Sequence, residues 1–182
     1  MIDENKVFRE FVFEHNPKYA VDSHNIFTSD GFILKVFNVK GDGSEVSRSG
    51  PGKPKPVVFL QHGLLASSET FVQNGENSMA FKLIEAGYDV WLGNNRGNIY
   101  SKKHKFHQPR GKEYFNFSFF EMGEYDIPAM IDYVLIQTNQ EKVSFIAHSL
   151  GTTQMFSALA ENYGLMQDKI DVFIAMAPVA ML

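Results

Sequence analysis

The chain has 182 residues, 44% of them hydrophobic and 21% charged, with a formal net charge of −4. These proportions suit one globular domain with a core of its own and exclude a wholly disordered chain, and the acidic balance gives no global drive toward nucleic acid. Cysteine is absent, which excludes disulfide frameworks, thiolate zinc sites and thiol nucleophiles.

Along the chain, Met1 to Lys6 is acidic and polar, so no signal peptide is expected there. No apolar run approaches the ~18 residues of a membrane span. Ile26-Phe27 and Phe32 to Val39 flank Ser29-Asp30-Gly31 and predict a hairpin. Gly41 to Pro56, rich in Gly, Ser, Lys and Pro, reads as an exposed connection between strands. Four short apolar runs follow, at Val57 to Leu60, Val90 to Leu92, Val143 to Ala147 and Val172 to Met176. Their length and their β-branched and aromatic content predict buried parallel strands.

Helical spacing falls between those runs. Met79, Ala80, Leu83 and Ile84 share a face, and Gly87 ends that helix. Ile127, Met130, Ile131, Val134 and Leu135 form the best amphipathic pattern, with capping-box spacing upstream from Ser118 to Glu121. Phe156, Leu159, Ala160 and Tyr163 stripe a third helix after Gly151. A hairpin followed by strand–helix alternation predicts an α/β fold with a mostly parallel sheet.

The strongest chemical signal is Ala147-His148-Ser149-Leu150-Gly151, which ends an apolar strand and opens a helix. That is the context of a G-x-S-x-G nucleophile elbow, where a serine on a strained turn projects its hydroxyl above the sheet. Small residues on either side let strand and helix approach: Gly151 fits, and Ala147 departs from glycine by one methyl. From the pentapeptide alone, an ordinary N-cap serine stays open as the alternative. Upstream, Gln61-His62-Gly63-Leu64-Leu65 follows another apolar strand. In α/β-hydrolases one oxyanion-hole amide comes from this loop and the other from the residue after the nucleophile, which here means the N–H groups of Leu64 and Leu150. A plain strand-end turn at His62-Gly63 becomes the weaker reading once both features occur in this order.

These stretches resemble the acid lipase family of α/β-hydrolases, which includes gastric and lysosomal acid lipases. The resemblance is carried by Phe59 to Ser68, Ala86 to Asn98, Tyr125 to Ala129, Ala147 to Thr152 and Ala175 to Ala180, with Asp30 to Leu34 similar to the family's N-terminal hairpin. It implies a serine carboxylic-ester hydrolase acting on neutral lipid esters in a secretory or lysosomal setting, without cofactor or metal. It also implies a triad in the order Ser…Asp…His, with the last two after the sixth strand. His15, His24, His62, His104 and His107 precede Ser149, and His148 adjoins it; adjacent side chains on a tight turn diverge, so His148 is expected to pack within the elbow. Asp168 and Asp171 come too early for the acid. The chain is therefore expected to be a partial hydrolase domain over 1–182, lacking the lid, the last core strands and the triad Asp and His.

Three readings follow: the N-terminal part of a lipase, inactive alone; a non-catalytic lipid- or protein-binding remnant; or one half of a hydrolase completed by a C-terminal polypeptide. Val172 to Met176 is expected to form an exposed sheet edge. Among weaker signals, His104 and His107 lack further metal ligands and read as a solvated loop. Asn94 to Lys112 carries Arg96, Lys102, Lys103, Lys105, Arg110 and Lys112 and no acid. It reads as an exposed face that admits contact with an anionic lipid surface, with Arg96 supporting its own turn. Phe115, Phe117, Phe119 and Phe120 fit an acyl site or a core equally well.

Overall fold

The computed structural model describes residues 4–161 and 163–180. β1 (Ala20–Phe27) and β2 (Phe32–Lys40) form the expected antiparallel hairpin, in register from Ala20↔Lys40 to Phe27↔Ile33. β1 begins six residues before its apolar end because Asp22, Ser23 and Asn25 give it no apolar signature; its ladder with β2 defines it. β3 (Val57–Gln61), β4 (Asp89–Gly93), β6 (Val143–His148) and β7 (Ile170–Met176) are the four apolar runs, and they pair parallel. β2 pairs antiparallel with β4, and a two-residue β5 (Lys103–His104) pairs with the start of β2. The strand order is β1-β2-β4-β3-β6-β7. β7 is the outermost strand, with Val172 and Ile174 each 47% exposed.

Both faces of the sheet are covered, which is why the strands read as continuous apolar runs. Alternate residues go to opposite cores. Val57, Phe59, Trp91, Phe145 and Ala147 pack with Ile127, Met130, Ile131 and Val134 of α4 (Ile127–Thr138), the predicted amphipathic helix. Val58, Leu60, Val90 and Leu92 pack with Ala80, Phe81 and Ile84 of α2 (Met79–Glu85). Gly87 closes α2 with φ +87°, and a Cβ there would lie 2.1 Å from the Val46 carbonyl oxygen, so only glycine fits.

The same core includes Phe8 and Val12 of α1 (Glu4–His15), a helix that the polar N-terminus concealed. Its anchor is Phe8, buried and stacked on Phe37 at 4.0 Å between ring centroids. The capping box is present: Ser118 opens α3 (Phe119–Glu121), and Ser118 N–H donates to Glu121 at 2.7 Å. A π-helical turn, Met122–Asp126, joins α3 to α4.

The stripe expected on the last long helix is not its buried face. In α5 (Leu150–Glu161) the buried side is Gly151, Thr152, Thr153, Gln154, Met155 and Ala158, whereas Phe156 and Ala160 are exposed. Leu159 is half-buried, and the Tyr163 side chain lies outside the described residues. The helix enters the fold through its small, polar first turns because those pack under the strand ends. α6 (Tyr163–Lys169) then leads into β7. Among the described residues no helix is long and apolar enough to cross a membrane.

Candidate active site

Ser149 sits between β6 and α5 with φ +52°, a left-handed conformation costly for any residue with a Cβ. Two backbone bonds hold it there. Its N–H donates to the Met176 carbonyl at the end of β7 (3.0 Å), and its own carbonyl accepts from the Thr152 N–H (2.8 Å). The Thr152 hydroxyl donates to the same carbonyl at 2.6 Å. An N-cap serine has extended dihedrals and uses its side-chain oxygen to cap; Ser149 does neither.

The approach of this turn to the loop after β3 depends on two glycines. A Cβ on Gly151 would lie 2.8 Å from the Gln61 carbonyl oxygen and 2.9 Å from that of His62. One on Gly63 would lie 3.0 Å from the Ser149 Cβ and 3.2 Å from the His148 carbonyl oxygen. At Gly151 both contacts are backbone, so a side chain has no room, whereas at Gly63 a side chain would require Ser149 and His148 to give by a few tenths of an ångström. Ala147, fully buried, pairs with Gln61 on one side and Ala175 on the other, so its extra methyl is accommodated. His148 is half-buried alongside Gly63.

Leu64 and Leu150 line one cleft of about 340 Å³. Its apolar walls include Leu65, Ile99, Phe115, Phe117 and Met122. Leu65, at φ +57°, is 99% exposed on the rim. Of the four phenylalanines considered from the sequence, Phe115 and Phe117 face this cleft, and Phe119 and Phe120 are not among its lining residues.

The base of the cleft is a polar network that the sequence disclosed only in part. His62 is almost fully buried. Its Nδ1–H donates to the Gly63 carbonyl (2.8 Å), and its Nε2 accepts from the Asn95 backbone N–H and the Asn98 Nδ2, each at 3.1 Å. Both nitrogens are engaged, so His62 positions the Gly63 turn and cannot serve as a base. Burial pushes its imidazole down to about 4. Asn94 reinforces the loop, accepting from the Ser68 N–H (3.1 Å) and donating to the Lys35 carbonyl (3.2 Å).

Arg96 does more than support its own turn. Its guanidinium, buried, donates to both oxygens of Asp126, with Nη2 to Oδ1 at 2.6 Å, and to Asp30 at 2.7 Å. It also lies over the Phe32 ring at 4.2 Å. It therefore ties the loop after β4 to the hairpin turn and to the start of α4. Asp126 is fully buried, and burial pushes its carboxyl up, to about 6, against the pull of Arg96. Ahead of a helix an aspartate ordinarily reads as a solvent-facing cap, which is why its role was not legible.

Neutral His62 sets an expected acid sensitivity. The unfolded chain takes up a proton near pH 6.5, but the folded one not until about pH 4, so stability is lost as pH falls through that window. The expected contribution at neutral pH is about 3 kcal/mol. Urea unfolding of the chain and of His62→Gln at pH 7 and pH 4 should show the difference between them shrinking by that amount; Asp126, common to both, cancels. A difference independent of pH would refute the neutral imidazole.

No partner among the described residues hydrogen-bonds the Ser149 hydroxyl. Asp171 lies beside the first residues of β6, ~16 Å down the strand from the elbow. His24 on β1 packs on Trp91, and His15 on α1 bonds the Phe11 carbonyl. His104 and His107 lie against each other at 4.6 Å, and no group of three or more metal-ligating side chains occurs among the described residues. His104 is part of β5, half-buried rather than on a free loop.

Comparison with known proteins agrees with this architecture. The "alpha/beta hydrolase fold" family matches residues 56–182, and the "Partial alpha/beta-hydrolase lipase region" matches residues 13–75. The chain is 44% identical over 163 residues to a gastric triacylglycerol lipase of Bos taurus, covering 89% of this chain and 40% of that one. It is 43% identical over 164 residues to lipase member K of Homo sapiens, at 88% and 40% coverage. It thus spans about two fifths of the length of these relatives. Among solved structures, an epoxide hydrolase from Vigna radiata superposes with a TM-score of 0.58 at 17% identity, over 88% of this chain and 39% of that one, a likeness of fold alone. From its strand order, its serine turn and these matches, the chain belongs to the alpha/beta hydrolase fold family.

Proposed function

We propose that the chain is the N-terminal part of a serine carboxylic-ester hydrolase of lipid esters. Ser149 is the nucleophile, and the Leu64 and Leu150 amides stabilise the oxyanion. The observation that supports this most directly is the serine turn at φ +52°, packed against Gly63, which together with Leu150 lines an apolar cleft. In that chemistry the Ser149 Oγ attacks the ester carbonyl carbon and its proton passes to a histidine held by a carboxylate. The carbonyl oxygen becomes an oxyanion that takes up N–H donors, a contribution of ~3 kcal/mol per donor. The histidine then protonates the leaving alcohol, and water releases the acid from the acyl-enzyme. The base and its orienting acid are assigned to the part of such proteins that this chain does not span. The apolar cleft and the triacylglycerol lipase relatives favour long-chain neutral esters. A binding protein without catalysis would have no chemical need of the strained serine.

The test is to extend the chain with the C-terminal part of a related lipase and assay short- and long-chain esters. Hydrolysis should appear in the extended protein and vanish in its Ser149→Ala variant. A folded but inert extension, or activity that survives Ser149→Ala, overturns the assignment. Activity arising only when a separate C-terminal polypeptide is added would identify the split form.

A further inference from the structure

We propose that a second cleft, at the end of the sheet away from Ser149, binds a neutral polyhydroxylated ligand of the size of a mono- or disaccharide. The cleft has a volume of about 410 Å³, within the range of small-molecule sites. Its floor is one face of the sheet, with His24 of β1, Asn38 and Lys40 of β2, and Asp89 and Trp91 of β4. Across from them stand Gln137, in the last turn of α4, and Gln140 just beyond it. Asp89 opens β4 and Gln140 precedes β6, whereas Ser149 follows β6, so the two clefts lie at opposite ends of the parallel strands.

Two ring nitrogens of the lining residues carry the assignment. Trp91 is 4% exposed, and its Nε1–H, like His24 Nε2, is buried without a hydrogen-bond partner among the described residues. Buried polar groups in folded chains are ordinarily bonded, so each such nitrogen marks a place for an outside partner. The two rings lie against each other at 4.9 Å between centroids, within the span of one small ligand. His24 Nδ1 is engaged with the Tyr133 hydroxyl at 3.0 Å, which leaves Nε2 as donor or acceptor according to the direction of that bond. A hydroxyl both donates and accepts, so it satisfies Nε2 in either tautomer, and it also accepts from the indole N–H. The Gln137 and Gln140 side chains make no hydrogen bond among the described residues and add paired donors and acceptors.

Charge and shape narrow the class. Lys40 is ion-paired with Asp22, and Lys55 with Glu45 at 3.2 Å, so the cations of the wall already have their counter-charges. An anionic ligand would have to displace one of those acids. Asp89 accepts from Asn38 Nδ2 at 2.7 Å and keeps lone pairs for ligand hydroxyls. A flat base would need an open ring face on which to stack, and the one indole of the chain is buried. Neutral hydroxyls meet the wall as it stands. None of these groups belongs to the proposed ester site, so the inference stands without it.

Trp91 is the sole tryptophan of the chain, so tryptophan fluorescence reads this cleft alone. The experiment is titration of the full chain with glucose, galactose, mannose, maltose and lactose, with glucuronate and glucosamine as charged counterparts. A saturable change in Trp91 emission is expected with at least one neutral sugar, at lower concentration than with either charged one. Gln137→Ala/Gln140→Ala should weaken that binding about 25-fold, at about fivefold for each hydrogen bond removed. Gln137 is exposed and Gln140 half-buried, so the double variant is expected to fold, which circular dichroism checks. No saturable change with any neutral sugar, undiminished binding in the folded double variant, or tighter binding of glucuronate or glucosamine would overturn the inference.

Discussion

Ser149 in the unextended chain is expected to react with a fluorophosphonate about a million times more slowly than in an extended, active protein. The magnitude is that of a serine hydrolase of another fold, where loss of the histidine alone costs about as much as loss of the whole triad. The physical reason lies in the hydroxyl. A serine alcohol is a poor nucleophile near neutral pH until a base accepts its proton as attack begins. Here no imidazole among the described residues hydrogen-bonds the Ser149 hydroxyl, adjoining His148 included. His62 has Nδ1 committed to the Gly63 carbonyl and Nε2 to Asn95 and Asn98. His24 is on β1, its ring packed on Trp91. Residual reaction would come from the proposed oxyanion donors, Leu64 and Leu150, each next to a glycine that a Cβ would crowd. Mass spectrometry of the labelled chain over time measures this. Rapid stoichiometric labelling of Ser149 would show that the chain activates its serine unaided, and that the missing-partner account is wrong.

Arg96→Met should be the most damaging single change to stability, at about 3–5 kcal/mol. The variant fills much the same volume but leaves Asp126, fully buried, without a counter-charge. The cost comes from that stranded carboxylate rather than from loss of an attractive pair, since a buried ion pair is partly offset by the desolvation of both partners. Two consequences separate this account from a packing defect. A second substitution, Asp126→Leu, should recover most of the loss, because an apolar pair needs no compensation. The loss should also be smaller at pH 4 than at pH 7, because a protonated Asp126 needs no cation. Asp30, partly exposed, is left to solvent and contributes less. Urea unfolding of the three proteins at both pH values is the measurement. A loss under about 1 kcal/mol for Arg96→Met, or no recovery in the double variant, would mean that the loop after β4 is held by other contacts.

The sequence alone determined the layered α/β architecture, because strands covered on both faces must be apolar throughout and so show as short uninterrupted runs. It determined the Ser118–Glu121 cap and α4, where local spacing and burial agree. It also singled out Ala147 to Gly151 and the His62-Gly63 loop, since backbone crowding at Gly151 and the tight approach of Ser149 at Gly63 leave glycine as a visible mark. What it left undetermined were features whose distant partner leaves no local mark in the sequence. Phe8 and Val12 make α1 a core helix only because Phe37 and its neighbours await them. Phe156 looked like a core residue by spacing, yet α5 buries its small and polar side because that side meets the strand ends. Arg96, Asp126 and Asp30 are ordinary surface types in sequence, and His62 reads as part of a turn. Only the tertiary structure brings Arg96 within hydrogen-bonding reach of a carboxylate 30 residues on and another 66 residues back. Burial is what turns those ordinary charges into an obligate network, because a charge removed from water must find its counterpart in space, and local sequence has no way to show where that counterpart is.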